Sequence, residues 1–139
     1  MRRLAKLPQY KESARLLRTI PGIGPLTTVE LLVELEDINR FPNFKKLNSF
    51  VGFKPRSHSS GEHEWQGRIT YRQHRGLRSS LIECAWTSIQ QDPAMMSCYQ
   101  ELIKKHTGKR AIVKIARKLL SRIYHVLKTR EEYVVGVAA

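Results

Sequence analysis

One stretch of the chain, "KPRSHSSGEHEWQGRITYRQHRGLRSSL", holds residue types that suit chemistry at a phosphodiester. An exposed serine hydroxyl can attack phosphorus when its proton is removed and when cations bind the non-bridging oxygens. The serines of "SHSSG" offer the hydroxyl, and the interleaved Trp65 and Tyr71 offer faces on which unpaired bases can stack. The cations would come from Lys54, Arg56, Arg68, Arg72, Arg75 and Arg78. These residues alone fit either a nucleophile or an ordinary flexible loop, because no general base can be identified.

The same stretch has no clear metal-binding pattern. His58 and His63 are not followed by further histidines or cysteines at ligand spacing, so zinc is not expected. Glu62 and Glu64 are two carboxylates that can ligate a metal, but a solvated acidic patch is the more ordinary interpretation. We therefore predict no metal site in this chain.

A glycine turn, "PGIGP", lies between two apolar-patterned stretches and predicts a helix-hairpin-helix element. Glycine adopts backbone angles that other residues resist, and it allows a phosphate to approach closely. The helix that starts at Pro25 would present unpaired N–H groups at its positive end. We therefore predict that Gly22, Ile23 and Gly24 contact nucleic-acid phosphates without reading base sequence. A purely structural turn remains the alternative.

A second basic element lies near the C-terminus, where no acidic residue occurs between Glu101 and Glu131. On a helical wheel the apolar residues occupy one side, and the charged residues of the other side are all cations. A solvated helix face normally mixes both signs of charge, so this pattern favours a phosphate backbone, with a membrane surface as a minor alternative. The predicted contacts are Arg110, Lys114, Arg117, Lys118 and Arg122.

The composition of the whole chain supports a polyanionic partner. Its 139 residues include 25 Lys and Arg against 12 Asp and Glu, a formal charge of +13. Such an excess in a chain of single-domain length usually reflects nucleic acid. Cys84 and Cys98 fit no disulfide framework, and we expect them to be buried small residues of a cytoplasmic protein. Neither a membrane span nor a signal peptide is expected.

The hydrophobic periodicity predicts an all-α fold, a single compact helical domain over 1–139. Gly52 is expected to cap one helix, Asp92 and Pro93 to begin another, and Gly108 to end that helix in a left-handed conformation. "GRITY" is a possible short strand, and "YVVGVAA" is either a frayed tail or a packing strand. The predicted helices are 10–19, 25–36, 43–51, 77–90, one from 93 to about 106, and 109–128. The predicted regions are a helix-hairpin-helix over 10–36, a Ser-Gly and Arg loop over 53–76, and a helical core over 77–128.

Five blocks in one order give the chain a family resemblance: "LLRTIPGIGPLTTVELLVEL", "FKKLNSFVGFKPRSHSSG", "GRITYRQHRGLRSSLIECAW", "DPAMMSCYQEL" and "KRAIVKIARKLLSRIYHVLK". The chain resembles the C-terminal domain of the insertion-sequence 110/116/902 transposases from about Leu16 to Tyr133. The resemblance implies a DNA recombinase in which a serine before a glycine attacks DNA and forms a covalent link. The matching residue is Ser60, with Ser59 as the fallback. The roles of the arginines, in contrast, are inferred only from charge and spacing.

The resemblance also implies partners. Members of this family pair such a domain with an N-terminal domain that resembles a Holliday-junction resolvase. Its acidic ligands would hold a divalent metal such as Mg²⁺, and no cofactor is expected in the present domain. A structured guide RNA is implied as a second polyanion, and DNA joining implies a dimer or tetramer. Without the N-terminal domain, we expect the chain not to recombine DNA alone, as a fragment, a truncated gene product or a remnant.

Two other functions fit part of the pattern. A non-catalytic helix-hairpin-helix module, or an inactive remnant, would explain the charge, the hairpin and the basic helix without using the Ser-Gly loop. A helix-hairpin-helix base-excision glycosylase would share the hairpin but would need a catalytic acid, for which Asp37 is the nearest candidate.

Overall fold

Six α-helices and one 3-10 turn make up the fold in a computed structural model, which describes residues 8–53 and 75–135. No strand occurs in these two ranges, so the predicted all-α class is confirmed. The turn is Ile38–Arg40, between the second and third helices. The helices are α1 (Pro8–Leu17), α2 (Pro25–Leu35), α3 (Phe44–Val51), α4 (Arg75–Gln91), α5 (Pro93–Leu102) and α6 (Gly108–Thr129).

Helix α6 is the centre of the fold, because its apolar side is wide enough to contact α1, α3, α4 and α5. Ile115, Leu119, Leu120 and Ile123 on this side are completely buried. Burying each such side chain contributes about 1.5 to 3 kcal/mol relative to leaving it exposed. The opposite side of α6 therefore faces outward along a rigid, well-anchored helix.

Capping residues set several helix boundaries, as predicted for Gly52, Asp92 and Pro93. The Asn43 side chain accepts a hydrogen bond of 3.0 Å from the Lys46 N–H at the start of α3. Gly52 ends that helix in the left-handed region at φ 91°. The Asp92 side chain accepts from the Ala94 N–H at 3.1 Å, with Pro93 in the first turn of α5. Each cap satisfies backbone groups that a helix end otherwise leaves unpaired.

The predicted role of Gly108 is wrong. Helix α5 already ends at Leu102, and Gly108 is the first residue of α6. Thr107 is the N-cap, and its side chain accepts from the Arg110 N–H at 3.4 Å. A threonine cap competes for this boundary, and a glycine just after it has no need of a left-handed conformation.

Two other boundaries differ from the prediction. Helix α4 begins at Arg75, so the last two residues of the predicted loop over 53–76 belong to the helix. Helix α1 begins at Pro8 and ends at Leu17 rather than spanning 10–19, since a proline is well suited to the first turn. Residues 54–74, including the predicted strand "GRITY", lie outside the described residues.

The described part of the chain after α6, residues 130–135, forms no strand, so the predicted packing strand does not occur there. Arg130 and Tyr133 make polar contacts with α1 and with the turn after it, whereas Val134 and Val135 are exposed. The Arg130 guanidinium donates to Ser13 Oγ at 2.8 Å, and the Tyr133 N–H donates to Thr19 Oγ1 at 3.0 Å. This C-terminal segment therefore connects the end of α6 to the start of the glycine turn.

Candidate nucleic-acid interface

The outward edge of α6 carries exposed cations that have no carboxylate partner among the described residues. Arg110, Lys114 and Arg117 are all exposed. Within residues 8–53 and 75–135, none of them has a carboxylate oxygen within 4.0 Å. Lys118 is also exposed, and its Nζ lies 3.6 Å from Cys98 Sγ on α5. The helix thus presents a one-signed edge whose charge is available to an anion.

Arg122 differs from the other four predicted contacts on α6. Its side chain is only partly exposed, and its guanidinium lies 5.8 Å from the centre of the Tyr133 ring. Its Nε is buried without a hydrogen-bond acceptor in the described part of the chain. Arg122 therefore belongs to the packing of the C-terminal segment, and the predicted stripe is interrupted there.

Gly22 in the turn between α1 and α2 is required by packing. Its φ is +97°, which side chains resist, and a Cβ at this position would lie 2.6 Å from the Cys84 carbonyl oxygen. The turn is therefore pressed directly against α4. The space over Gly22 is taken by protein, and a phosphate cannot approach from that side.

Gly24 is the opposite case. It is the N-cap of α2 with φ −94°, and a Cβ built on it would meet no described atom within 4 Å. No side chain in the described part of the chain caps this helix end. Among the described residues, no acceptor is found for the N–H groups of Leu26 and Thr27, the first two available donors of α2. This helix end has the open space and the free donors that an anion needs.

Ile23, the third predicted residue of the turn, serves the core. Its side chain is buried, as is that of Ile20, and both anchor the turn in the core. The Ile23 N–H already donates to the Ile20 carbonyl at 3.2 Å. Of the three turn residues, Gly24 is the one with an open surface.

Tyr133 brings the turn and α6 together. Its N–H bonds to Thr19 beside the turn, its ring lies under the Arg122 guanidinium, and its hydroxyl donates to the buried carboxylate of Asp92. Burial and this hydrogen bond raise the pKa of Tyr133 to about 12. The sequence analysis missed Tyr133, because no local pattern indicates contacts with residues 41 and 114 positions away.

Helix α2 has a different character from α6. Beyond its open N-terminus it carries Glu30 and Glu34 but no cation. Glu30 accepts a hydrogen bond of 2.7 Å from Ser80 Oγ on α4, and Thr27 Oγ1 lies 3.4 Å from Cys84 Sγ. Burial raises the pKa of the Cys84 thiol. These contacts are structural, and the acidic residues make this helix face unsuited to a polyanion.

Several predicted site residues lie outside the described residues: Ser59, Ser60, Lys54, Arg56, Arg68 and Arg72. Arg75 begins α4, but its side chain is likewise not described. Asp37, the candidate acid of the glycosylase alternative, caps the 3-10 turn by accepting from the Asn39 N–H at 2.9 Å. The described ranges contain no group of three His, Cys, Asp or Glu side chains that can hold a metal ion. None of their helices is long and apolar enough to cross a membrane.

Comparison with known proteins identifies the family. The chain belongs to the Transposase IS116/IS110/IS902 family, whose profile matches residues 14–100. It is therefore a member of a transposase and recombinase family of insertion sequences.

Individual relatives agree with this assignment. The chain is 35% identical to the pilin gene-inverting protein of Moraxella bovis, over 91% of this chain and 40% of that protein. It is 29% identical to the transposase for insertion sequence element IS1111A of Coxiella burnetii, over 96% of this chain and 38% of that protein. The chain thus spans about two fifths of the length of these relatives. No solved structure matches it significantly.

Proposed function

We propose that this chain is the part of an insertion-sequence transposase that binds nucleic acid and carries the reactive serine. The observation that carries the gripping role is the exposed edge of α6, where Arg110, Lys114 and Arg117 have no carboxylate partner in the described ranges. Over roughly 27 Å from Arg110 to Lys128, at about 1.5 Å per residue, the edge contains no acidic residue at all. A phosphate backbone matches such a surface in both charge and length.

The helix-hairpin-helix formed by α1, the glycine turn and α2 would add a second contact. Its free donors at Leu26 and Thr27, together with the open surface at Gly24, suit a single phosphate oxygen. Both contacts go to the backbone, so the grip is independent of base sequence. Another component must then select the DNA site, and the family resemblance implies that this component is a guide RNA.

A salt titration tests the proposed binding of DNA by α6. We expect the triple variant Arg110→Gln/Lys114→Gln/Arg117→Gln to weaken DNA binding. It should also reduce the slope of log K against log salt by about 2.7, or 0.9 for each phosphate that is no longer neutralised. A matched control removes three exposed lysines elsewhere, Lys11, Lys104 and Lys105. Equal slopes for the two triple variants would show that only net charge matters and would overturn the assignment to α6.

The chemical step that we propose uses Ser60, with Ser59 as the fallback. The serine Oγ attacks phosphorus and loses its proton, an Oγ–P bond forms, and one P–O bond to a deoxyribose breaks. The released sugar oxygen takes up a proton, so the phosphodiester is exchanged for a protein–DNA phosphodiester. The family match and the Ser60-Gly61 pair support this step. On the basis of the same family match, we propose that the chain acts with an N-terminal domain that holds a divalent metal, with a guide RNA, and as a dimer or tetramer.

A covalent-adduct assay tests this step. The chain is combined with a separately supplied N-terminal domain, guide RNA and labelled target DNA, with Ser60→Ala and Ser59→Ala in parallel. An adduct lost only in Ser60→Ala supports the nucleophile. Salt-dependent binding without an adduct would instead favour the non-catalytic module.

A further inference from the structure

The positive surface of α6 continues onto a neighbouring element. Tyr124 lies seven residues after Arg117, which places both on the same edge of the helix. The Tyr124 hydroxyl donates to the Phe41 carbonyl at 3.0 Å. Its ring meets the Phe44 ring edge to face, with 6.2 Å between centres. The first residue of α3 is therefore fixed directly against the outward edge of α6.

Three cations surround this contact. Lys45 and Lys46 follow Phe44 and are exposed, and neither has a carboxylate within 4.0 Å in the described ranges. Lys128 places its Nζ 5.5 Å from the centre of the Tyr124 ring and 3.4 Å from Asn39 Oδ1. We call Lys45, Lys46 and Lys128 the α3 lobe. Because Tyr124 and Phe44 are packed together, the backbone that carries these lysines is held in a fixed position relative to α6.

The kinds of side chain along this surface bear on the form of nucleic acid that it fits. Single strands are usually bound by exposed aromatic rings on which unpaired bases stack. Around the α3 lobe, Phe41 is buried, while Phe44 and Tyr124 are partly buried and contact protein. Among the described residues, the exposed aromatic side chain is Trp86, which lies on α4 against Tyr99. Within residues 8–53 and 75–135, this surface thus offers cations on a fixed backbone without a stacking platform.

We infer that a double-helical backbone lies along the edge of α6 and crosses Tyr124 onto the α3 lobe, where Lys45, Lys46 and Lys128 bind its phosphates. This inference rests on the proposed function and adds to it a second element that binds the duplex. An edge of roughly 27 Å matches about eight base pairs at 3.4 Å each. The lobe widens the footprint beyond a single helix.

Fluorescence anisotropy across a salt series tests the inference. The probes are a labelled DNA duplex of about 16 base pairs, twice the length that the edge spans, and the single strand of the same sequence. We expect Lys45→Gln/Lys46→Gln to reduce the slope of log K against log salt for the duplex by about 1.8, or 0.9 per phosphate. The matched control is Lys11→Gln/Lys105→Gln, two exposed lysines on α1 and in the turn before α6 that also have no carboxylate within 4.0 Å in the described ranges. The control should change the slope by less than half as much.

The outcomes separate the two proposals. If the slope for the lobe variant equals that of the wild type or of the control, the α3 lobe does not bind DNA. The proposed role of α6 still holds in that case, provided that Arg110→Gln/Arg117→Gln weakens binding. Wild-type binding to the single strand that is as tight as binding to the duplex overturns the duplex assignment. If the wild type shows no salt-dependent binding to either probe, the proposed function itself is refuted. Thermal unfolding of each variant verifies that its fold is intact.

Discussion

The Tyr133 N–H donates to Thr19 Oγ1 at 3.0 Å, so the C-terminal segment is hydrogen-bonded to a residue just before the glycine turn. The same tyrosine bonds through its hydroxyl to the buried carboxylate of Asp92, which is the N-cap of α5. One residue therefore connects the candidate hairpin, the start of α5 and, through Arg122, the edge of α6. Tyr133 thus adds polar contacts between elements that carry the proposed phosphate contacts.

Removing the Tyr133 hydroxyl should destabilise the fold. In Tyr133→Phe the Asp92 carboxylate loses one of its two hydrogen-bond donors while it remains buried. A hydrogen bond to a charged group is worth about 1.5 to 3 kcal/mol, so we expect the free energy of unfolding to fall by about that amount. Urea denaturation near neutral pH measures it. Unchanged stability would mean that the hydroxyl contributes nothing to the connection.

The wild type and Tyr133→Phe should also differ in how their stability depends on pH. The pKa of Tyr133 is raised to about 12 in the folded protein from an ordinary value of 10.0. A raised folded pKa means that folding favours the protonated phenol, so this contribution is fully present below pH 10 and disappears as the pH approaches 12. The stability advantage of the wild type over Tyr133→Phe should therefore shrink across that interval. An advantage that stays constant would contradict the assigned cause.

The two glycines of the turn should respond differently to alanine. Gly22→Ala places a methyl group 2.6 Å from the Cys84 carbonyl oxygen at a positive φ, and we expect a loss of at least about 1 to 3 kcal/mol in unfolding free energy. Gly24→Ala fills open space at an ordinary φ, so its cost should stay within about 1 kcal/mol.

DNA binding distinguishes a structural glycine from a functional one. If a phosphate approaches the start of α2, the methyl group of Gly24→Ala should weaken DNA binding by about threefold or more, although the fold is preserved. Anisotropy at a single salt concentration measures this effect. A Gly24→Ala variant with wild-type affinity would remove the hairpin from the interface and leave α6 unaffected.

The two thiols should react at different rates. Cys84 is buried against Thr27 with a raised pKa, whereas Cys98 is partly exposed on α5. Alkylation by iodoacetamide depends on both access and thiolate fraction. Mass spectrometry of the native protein should therefore find the label on Cys98 first, and on both cysteines after denaturation. Equal labelling in the native state would contradict the packing of the turn against α4.

The N-cap of the central helix should also be measurable. Thr107→Ala removes the acceptor for the Arg110 N–H, and we expect a loss of about 1 kcal/mol. Thr87→Ala is the control, since Thr87 is an exposed residue inside α4. A cost for Thr107→Ala no larger than that of the control would show that the cap is weak.

Local features of this fold were predictable because their causes are local. The apolar repeat of α6, the Asn43 and Asp92 caps and the Gly52 terminus each depend on residues within a few positions. The choice between Thr107 and Gly108 was also local, but two capping preferences competed there. The sequence pattern therefore determines most helix boundaries in the described ranges.

The arrangement of the site was less predictable because it depends on contacts between distant residues. Gly22 and Gly24 look alike in the sequence, and only the position of Cys84 on α4 makes one structural and leaves the other open. Arg122 follows the same helical period as Lys118, but Tyr133 covers it. Lys45 and Lys46 lie beside the edge of α6 only because Phe44 packs against Tyr124, a contact between residues 80 positions apart.

The most direct test of the nucleic-acid interface is to map it by amide NMR of the labelled chain during titration with duplex DNA. We predict the largest shift changes at Arg110, Lys114 and Arg117 on α6 and at the Leu26 and Thr27 N–H groups, with the face of α2 that carries Glu30 and Glu34 unaffected. Changes centred on that acidic face, with the α6 edge unchanged, would contradict the proposed interface.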